Sequence, residues 1–145
     1  KTPEGDFVDK EGNYIGRHKG IIHYTIGQRR GLGIPAASRL YVCEISPKTN
    51  TVVLGDNADL FSSELEADSV NLISVDNLSE PKRVTAKIRY RHKEQPATAW
   101  QTPDGILHVK FDEPQRAITK GQAVVMYDGD EVVGGGVINK IYSQS

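Results

Sequence analysis

The sequence predicts a mainly β protein with two small β-barrel-like domains, of which the first carries one short helix. Short apolar runs with strand-like alternation recur along the 145 residues, and turn residues separate them at short intervals. Only residues 19–28 and a short piece near residues 56–61 are candidate helices. Short strands at this spacing are typical of small β-barrels.

Three hairpins are predicted, each from two strand-like runs that flank a turn sequence. The pairs of runs are residues 40–45 with 51–54, residues 97–101 with 106–111, and residues 123–127 with 131–133. The strongest turn signal is Pro103-Asp104-Gly105, in the second pair. A polar, acidic stretch at residues 62–68 predicts a boundary, which gives a first domain of residues 1–64 and a second of residues 65–145.

Composition narrows the function classes. The formal net charge is -1, so RNA binding would need a local cluster of basic residues. No signal peptide is visible in the first residues of this sequence, and no apolar run is long enough to cross a bilayer, so no membrane partner is expected. The single cysteine, Cys43, forms no internal disulfide, which favours the cytoplasm. Cys43 is predicted to be a small buried hydrophobe, with an enzyme that uses its thiol as the alternative.

Residues 16–34 combine closely spaced glycines with basic residues and a short apolar run. Arg29 and Arg30 lie in its glycine-rich end, and two interpretations stay open for them. The loop either meets phosphates or a neighbouring domain, or it is a structural corner whose arginines cap helix carbonyls. No metal site is predicted, because His18 and His23 lack the spacing of helical zinc ligands and no cysteine pair supports them.

A basic segment at residues 82–93 holds six Lys or Arg residues and no acid. Basic and apolar residues alternate over residues 83–91, which predicts a strand with one basic face and one apolar face. Residues on one face recur about every 6.6 Å, a spacing that can follow a row of phosphates. The alternative is a solvated face, or an edge strand that its charge protects from aggregation.

The segment from His18 to Leu32 resembles the signature His-x-Gly-x-x-x-Tyr-Thr-Ile-Gly-Gln-Arg-(Lys/Arg)-Gly-Leu of the tRNA-specific 2-thiouridylases. These enzymes place sulfur on the wobble uridine of certain tRNAs. Further matches follow in the order of the family: Gly-Asp-Phe-Val-Asp at residues 5–9, Lys-Ile-Arg-Tyr-Arg at 87–91, Phe-Asp-Glu-Pro at 111–114, Thr-Lys-Gly-Gln-Ala-Val at 119–124 and Gly-Gly-Gly-Val-Ile at 134–138. The resemblance covers almost the whole chain and only the back part of the family's protein. Together with the first residue, Lys1, it suggests a piece of a longer polypeptide.

The resemblance implies that this part of the enzyme docks tRNA. Arg89, Tyr90 and Gln122 occupy the positions that contact tRNA in the family, although strand parity places Tyr90 on the apolar face. Supporting contacts are expected from four basic residues: Lys87, Arg91, Arg29 and Arg30. The rival hypothesis is a stand-alone β-barrel interaction module with no RNA role.

The resemblance also implies where the chemistry of a full-length tRNA-uridine 2-sulfurtransferase takes place. ATP binds a Ser-Gly-Gly-Val-Asp-Ser loop in the family's N-terminal domain, and that motif does not occur in this sequence. The family's two catalytic cysteines also lie upstream of the matched region, where a persulfide sulfur-donor protein delivers its sulfur. This stretch is therefore expected to hold no cofactor and to be inactive alone.

Overall fold

The computed structural model describes residues 3–143 and confirms the mainly β prediction. The chain forms two compact units, residues 1–61 and residues 62–145, which we call the first and second units. None of the helices in the described residues is long and apolar enough to cross a membrane.

The first unit contains a four-stranded sheet in the order β2-β1-β4-β3. Its strands are β1 (Gly5–Val8), β2 (Tyr14–His18), β3 (Tyr41–Ser46) and β4 (Thr51–Gly55). Strands β3 and β4 form the first predicted hairpin, while β1 and β4 run parallel. The described residues of this unit thus form an open sheet, whereas the closed barrel lies in the second unit.

The predicted helix at residues 19–28 is wrong, since the structure has only a single 3-10 turn there, Ile21–His23. Gly20 and Gly27 have φ angles of 120° and 93°, and these left-handed conformations do not belong to a right-handed helix. The second helical candidate is present as the 3-10 helix Asn57–Leu60, and a further 3-10 turn is formed by Pro35–Ala37.

The core of the first unit lies on one face of its sheet. Phe7, Val42, Val52 and Leu54 are essentially inaccessible to solvent. The glycine-rich segment packs against these side chains with five of its apolar residues: Ile21, Tyr24, Ile26, Leu32 and Ile34. Much of this segment therefore serves to cover the sheet, with Leu32 buried and the other four side chains partly buried against it.

The second unit is a closed six-stranded barrel in the order β10-β5-β8-β7-β6-β9. Its strands are β5 (Phe61–Leu72), β6 (Lys82–Lys87), β7 (Gln95–Gln101), β8 (Leu107–Arg116), β9 (Ala123–Asp128) and β10 (Glu131–Ile141). The hairpins β7–β8 and β9–β10 confirm the other two predictions. Closure pairs β9 with β6 and β10 with β5, which protects the edges that an open sheet would expose.

Alternation along β6 sorts its side chains between the inside and the outside of the barrel. Val84 and Ala86 are buried, as is Ile88 just after the strand, so the predicted apolar face is confirmed. They join a core that includes Leu65, Leu107 and Met126 among its fully buried members. Arg83 and Lys87, which alternate with these buried residues, consequently lie on the outer surface of the barrel.

Candidate nucleic-acid interface

Tyr90 lies in a turn beyond the end of β6 rather than on a strand. The strand ends at Lys87, and the backbone N–H of His92 donates to the carbonyl of Arg89 at 3.2 Å. The predicted strand row over residues 83–91 is therefore wrong beyond Lys87. Because the chain turns here, strand parity does not apply to Tyr90, and its side chain is 92% exposed. An aromatic ring this exposed offers a face on which a base can stack.

Arg89 turns back towards the body of the second unit. Its Nη1 donates to the carbonyl of Arg116 at 3.0 Å, and its Nη2 donates to the carbonyl of Ala117. Burial lowers the pKa of Arg89, and the nearby charge of Arg116 lowers it further. The guanidinium nevertheless stays charged at neutral pH, because arginine starts from so high a value. Arg89 thus ties the turn that carries Tyr90 to the end of β8.

The carbonyl of Ala117 links the hydrogen bonds of Arg89 to the turn that carries Gln122. The Ala117 backbone is left-handed, with φ of 59°, and its carbonyl also accepts a hydrogen bond from the Thr119 hydroxyl at 3.0 Å. The carbonyl of Thr119 accepts in turn from the Gln122 N–H at 3.3 Å, and the Gln122 carbonyl accepts from Ile138 N–H at 2.9 Å. One hydrogen-bond network therefore links Arg89 to the backbone of Gln122, whose side chain is exposed, and Tyr90 follows Arg89 directly in the chain.

Part of the basic strand is already neutralised. Arg83 makes a two-pronged ion pair with Asp112, with N–O distances of 2.8 and 2.7 Å, and this contact lowers the pKa of the Asp112 carboxyl. Lys82 likewise pairs with Asp128 at 2.9 Å. The N-terminal half of the predicted phosphate row is therefore matched with carboxylates from other strands.

The basic residues near the turn are different. Arg91 is exposed, and Lys87 is half-buried with its Nζ 5.8 Å from the centre of the Tyr127 ring. Within residues 3–143, neither forms an ion pair with a carboxylate. Positive charge available to a polyanion is thus concentrated at the turn end of β6.

Arg29 and Arg30 project from a well-braced loop in the first unit. Gly27 N–H donates to the Val42 carbonyl and Val42 N–H donates to the Gln28 carbonyl, both at 2.8 Å, so the loop extends the sheet beside β3. The Gln28 side chain accepts from Thr25 N–H at 3.0 Å and donates to the Arg30 carbonyl at 2.9 Å. Both arginines are exposed, and Arg29 lies 5.9 Å from the Tyr41 ring centre. The loop thus forms a hydrogen-bonded corner that presents two cations, and the contact of these arginines with phosphates or a neighbouring domain stays a prediction.

His18 and Cys43 have structural surroundings. His18 is fully buried, accepts from Gly20 N–H at 2.9 Å through Nδ1, and has Nε2 at 2.8 Å from the Asn50 carbonyl. Cys43 sits where the register of β3 shifts against β4, and it is half-buried rather than fully buried. Its Sγ contacts the Tyr41 carbonyl at 3.5 Å.

Tyr127 is a surface component that sequence spacing does not indicate. The pairing of β6 with β9 sets Tyr127 opposite Thr85 and so beside Lys87. Lys87 and Tyr127 are about forty positions apart in sequence, so only the closure of the barrel brings them together. The one available signal is the outward parity of Tyr127 on a strand whose Val124 and Met126 are buried.

Two family models match the chain. Residues 1–56 match the tRNA methyl transferase PRC-barrel domain, and residues 62–138 match the aminomethyltransferase beta-barrel domain. The two matches correspond closely to the two units of the structure. The residues of this hydrogen-bond network lie between Arg89 and Ile138, so all of them fall in the second match, which ends at residue 138.

Curated relatives agree with these matches. The tRNA-specific 2-thiouridylase MnmA of Clostridioides difficile is 60% identical over 140 residues, which are 97% of this chain and 39% of that protein. The enzyme of the same name from Acetivibrio thermocellus is 57% identical over 134 residues, 92% of this chain and 37% of that protein. This chain therefore spans about two fifths of the length of these relatives. The signature residues, the two matched domains and these relatives together show that the chain belongs to the tRNA-specific 2-thiouridylase family and matches the C-terminal part of its members.

Proposed function

We propose that the second unit docks tRNA for the ATP-dependent 2-thiolation of the wobble uridine by the full-length enzyme. Tyr90, Gln122 and Arg89 form the contact surface, and Lys87 and Arg91 add attraction to phosphates. Arg29 and Arg30 support docking from the first unit. The contribution is one of positioning, because holding a substrate in the reactive geometry lowers the entropic part of the barrier.

The observation that carries this proposal is the exposed ring of Tyr90 on an anchored turn. A large aromatic side chain that is 92% exposed loses hydrophobic stabilisation, yet the Arg89 network holds its turn in place. The neighbouring cations Lys87 and Arg91 have no ion-pair partner among the described carboxylates. Proteins that bind single-stranded nucleic acid combine these two features, with bases stacked on aromatic rings and phosphates beside positive charge.

The glycine-rich loop of the first unit is a poor candidate for binding ATP. The glycine-rich loop of the first unit uses Gly27 N–H to pair with Val42 at 2.8 Å, so this group is directed into the sheet rather than towards a phosphate. We therefore place ATP binding, the catalytic cysteines and the contact with a persulfide sulfur donor in the part of the full-length enzyme outside this chain. We also place the enzyme in the cytoplasm, where its tRNA substrate is found.

Replacing Tyr90 tests the proposal. Tyr90→Ala is expected to weaken tRNA binding by about tenfold, because stacking of one base on an aromatic side chain contributes about 1–3 kcal/mol. Binding would be measured by fluorescence anisotropy with labelled tRNA at several salt concentrations. The matched control is Tyr14→Ala, which removes another exposed tyrosine, from the first unit. An equal loss in both variants, or no tRNA binding by the unaltered chain at low salt, would favour the interaction-module hypothesis.

Charge removal distinguishes the turn from the strand. Arg91→Gln is expected to weaken tRNA binding by about fivefold and to reduce the salt slope by about 0.7–0.9. Arg83→Gln removes the same charge but is expected to weaken binding less than Arg91→Gln does, because the Arg83 guanidinium is already engaged by Asp112 and the substitution acts only through the carboxylate that it leaves unpaired. The same salt titration measures both variants. A larger effect of Arg83→Gln than of Arg91→Gln would instead favour the prediction from sequence that tRNA phosphates lie along the basic face of β6.

A further inference from the structure

A cleft of about 610 Å³ lies at the turn end of β6, lined by Thr85, Lys87, Lys93, Glu94, Gln95 and Pro96. We propose that it seats one nucleotide of the docked tRNA, with its phosphate between Lys87 and Lys93. The inference rests on the proposed function and adds a binding site to it. Lys93 and Tyr127 become contributors to recognition beyond the residues that the sequence indicates.

The walls of the cleft are fixed before any ligand arrives. Antiparallel pairing sets Thr85 opposite Pro96, and the Thr85 hydroxyl donates to the Glu94 carboxylate at 2.7 Å. The Gln95 amide donates to the Lys93 carbonyl at 3.3 Å, which steadies the loop on the far wall. A volume of about 610 Å³ is within the range of about 300–1,000 Å³ that small organic ligands occupy. There is room for one nucleotide.

The charges in the cleft favour a phosphate. Lys87 and Lys93 both line it, and neither forms an ion pair with a carboxylate of the described residues. Glu94 is the one acid among the lining residues, and its Oε1 already accepts the Thr85 hydroxyl. Lys87 also lies 5.8 Å from the Tyr127 ring centre, so the ring supports the ammonium beside the cleft. The balance is two cations against one hydrogen-bonded carboxylate.

The position of the cleft identifies RNA as the source of that phosphate. Lys87 and Lys93 bracket the turn that carries Tyr90 and Arg91, so both walls belong to the same short segment as the exposed ring. A strand of RNA whose base stacks on Tyr90 brings the phosphate of a neighbouring nucleotide to these lysines. A free nucleotide has the same chemistry but lacks the second attachment at Tyr90.

The test combines charge removal with chemical protection of lysines. Lys87→Gln and Lys93→Gln are each expected to weaken tRNA binding by about fivefold and to lower the salt slope by about 0.7–0.9. Lys110→Gln is the matched control, because Lys110 is exposed on β8 and outside the cleft. In the unaltered chain, tRNA should strongly reduce acetylation of Lys87 and Lys93, because a bound phosphate covers both ammonium groups, and leave Lys110 nearly unchanged.

Three outcomes would overturn the inference. If both cleft variants behave like Lys110→Gln while Tyr90→Ala still weakens binding, the nucleotide is not in the cleft although the docking function stands. If uridine 5′-monophosphate alone protects the two lysines as well as tRNA does, the cleft is a site for a free nucleotide. If the unaltered chain binds no tRNA, the docking function and this inference both fail.

Discussion

Gly134→Ala is expected to lower the free energy of unfolding of the barrel by about 4 kcal/mol. An added Cβ would lie 2.4 Å from the Asn71 carbonyl oxygen and 2.9 Å from the Leu72 Cα. Both atoms belong to the backbone of β5, so no side chain can move aside to relieve the overlap. The φ angle of 148° adds strain for any residue with a side chain. Overpacking and backbone strain each cost about 1–3 kcal/mol.

Gly129→Ala is the matched control for this substitution. Gly129 also has a positive φ, 61°, but nothing lies within 4 Å of an added Cβ in its turn. Its expected cost is therefore only the conformational one, about 1 kcal/mol. Urea unfolding followed by the fluorescence of Trp100, the only tryptophan, reports on the barrel because Trp100 lies in β7. Equal costs for the two variants would show that β10 moves away from β5 without penalty.

The hairpins are the part of the fold that sequence predicts well, because their signals are local. Pro103-Asp104-Gly105 makes its turn, and Gly105 takes the left-handed φ of 87° that this position favours. Closure of the barrel is not local. The pairing of β10 with β5 joins Gly134 to Leu72, which are far apart in sequence, and no spacing rule indicates that contact.

The predicted helix fails for a different reason. Ile21 and Tyr24 have the i, i+3 spacing that a helix face also shows, so the pattern is ambiguous over so short a segment. In the structure these side chains cover the sheet of the first unit from a chain that is mostly irregular. The positive φ angles of Gly20 and Gly27 decide between the two, because neither belongs to a right-handed helix.

In the candidate site, too, local features are predictable from sequence and long-range contacts are not. Family resemblance supplies Arg89, Tyr90 and Gln122, and strand parity supplies the outward direction of Arg83. Parity does not indicate that Arg83 is neutralised, because Asp112 reaches it from β8 across the intervening strand β7. It also fails for Tyr90, since nothing in the alternating residues 83–91 marks the end of β6 at Lys87.

Arg89→Ala is expected to weaken tRNA binding by about thirtyfold and to lower the free energy of unfolding by about 2 kcal/mol. The substitution removes two hydrogen bonds from a charged donor to the carbonyls of Arg116 and Ala117, and bonds of this kind contribute about 1.5–3 kcal/mol. Arg89→Lys keeps the positive charge but loses the planar fork that reaches both carbonyls. Anisotropy with tRNA and Trp100-monitored unfolding measure the two effects separately.

The lysine variant separates two uses of Arg89. If the residue acts on tRNA only as a charge, Arg89→Lys restores most of the affinity. We expect it to remain about tenfold weaker than the unaltered chain, because the loss of the fork releases the turn that presents Gln122. Full recovery of affinity in Arg89→Lys would contradict a positioning role.

A double-mutant cycle with Gln122 extends this argument. The Gln122 N–H donates to the carbonyl of Thr119. The Thr119 hydroxyl and the Arg89 guanidinium both donate to the carbonyl of Ala117. Once Arg89→Ala has released that turn, Gln122→Ala has little further contact to remove. The two losses of tRNA affinity should therefore fall short of additive by about 1 kcal/mol, a coupling typical of residues in one hydrogen-bond network. Strict additivity would mean that the two side chains reach tRNA independently, with the network contributing only to stability.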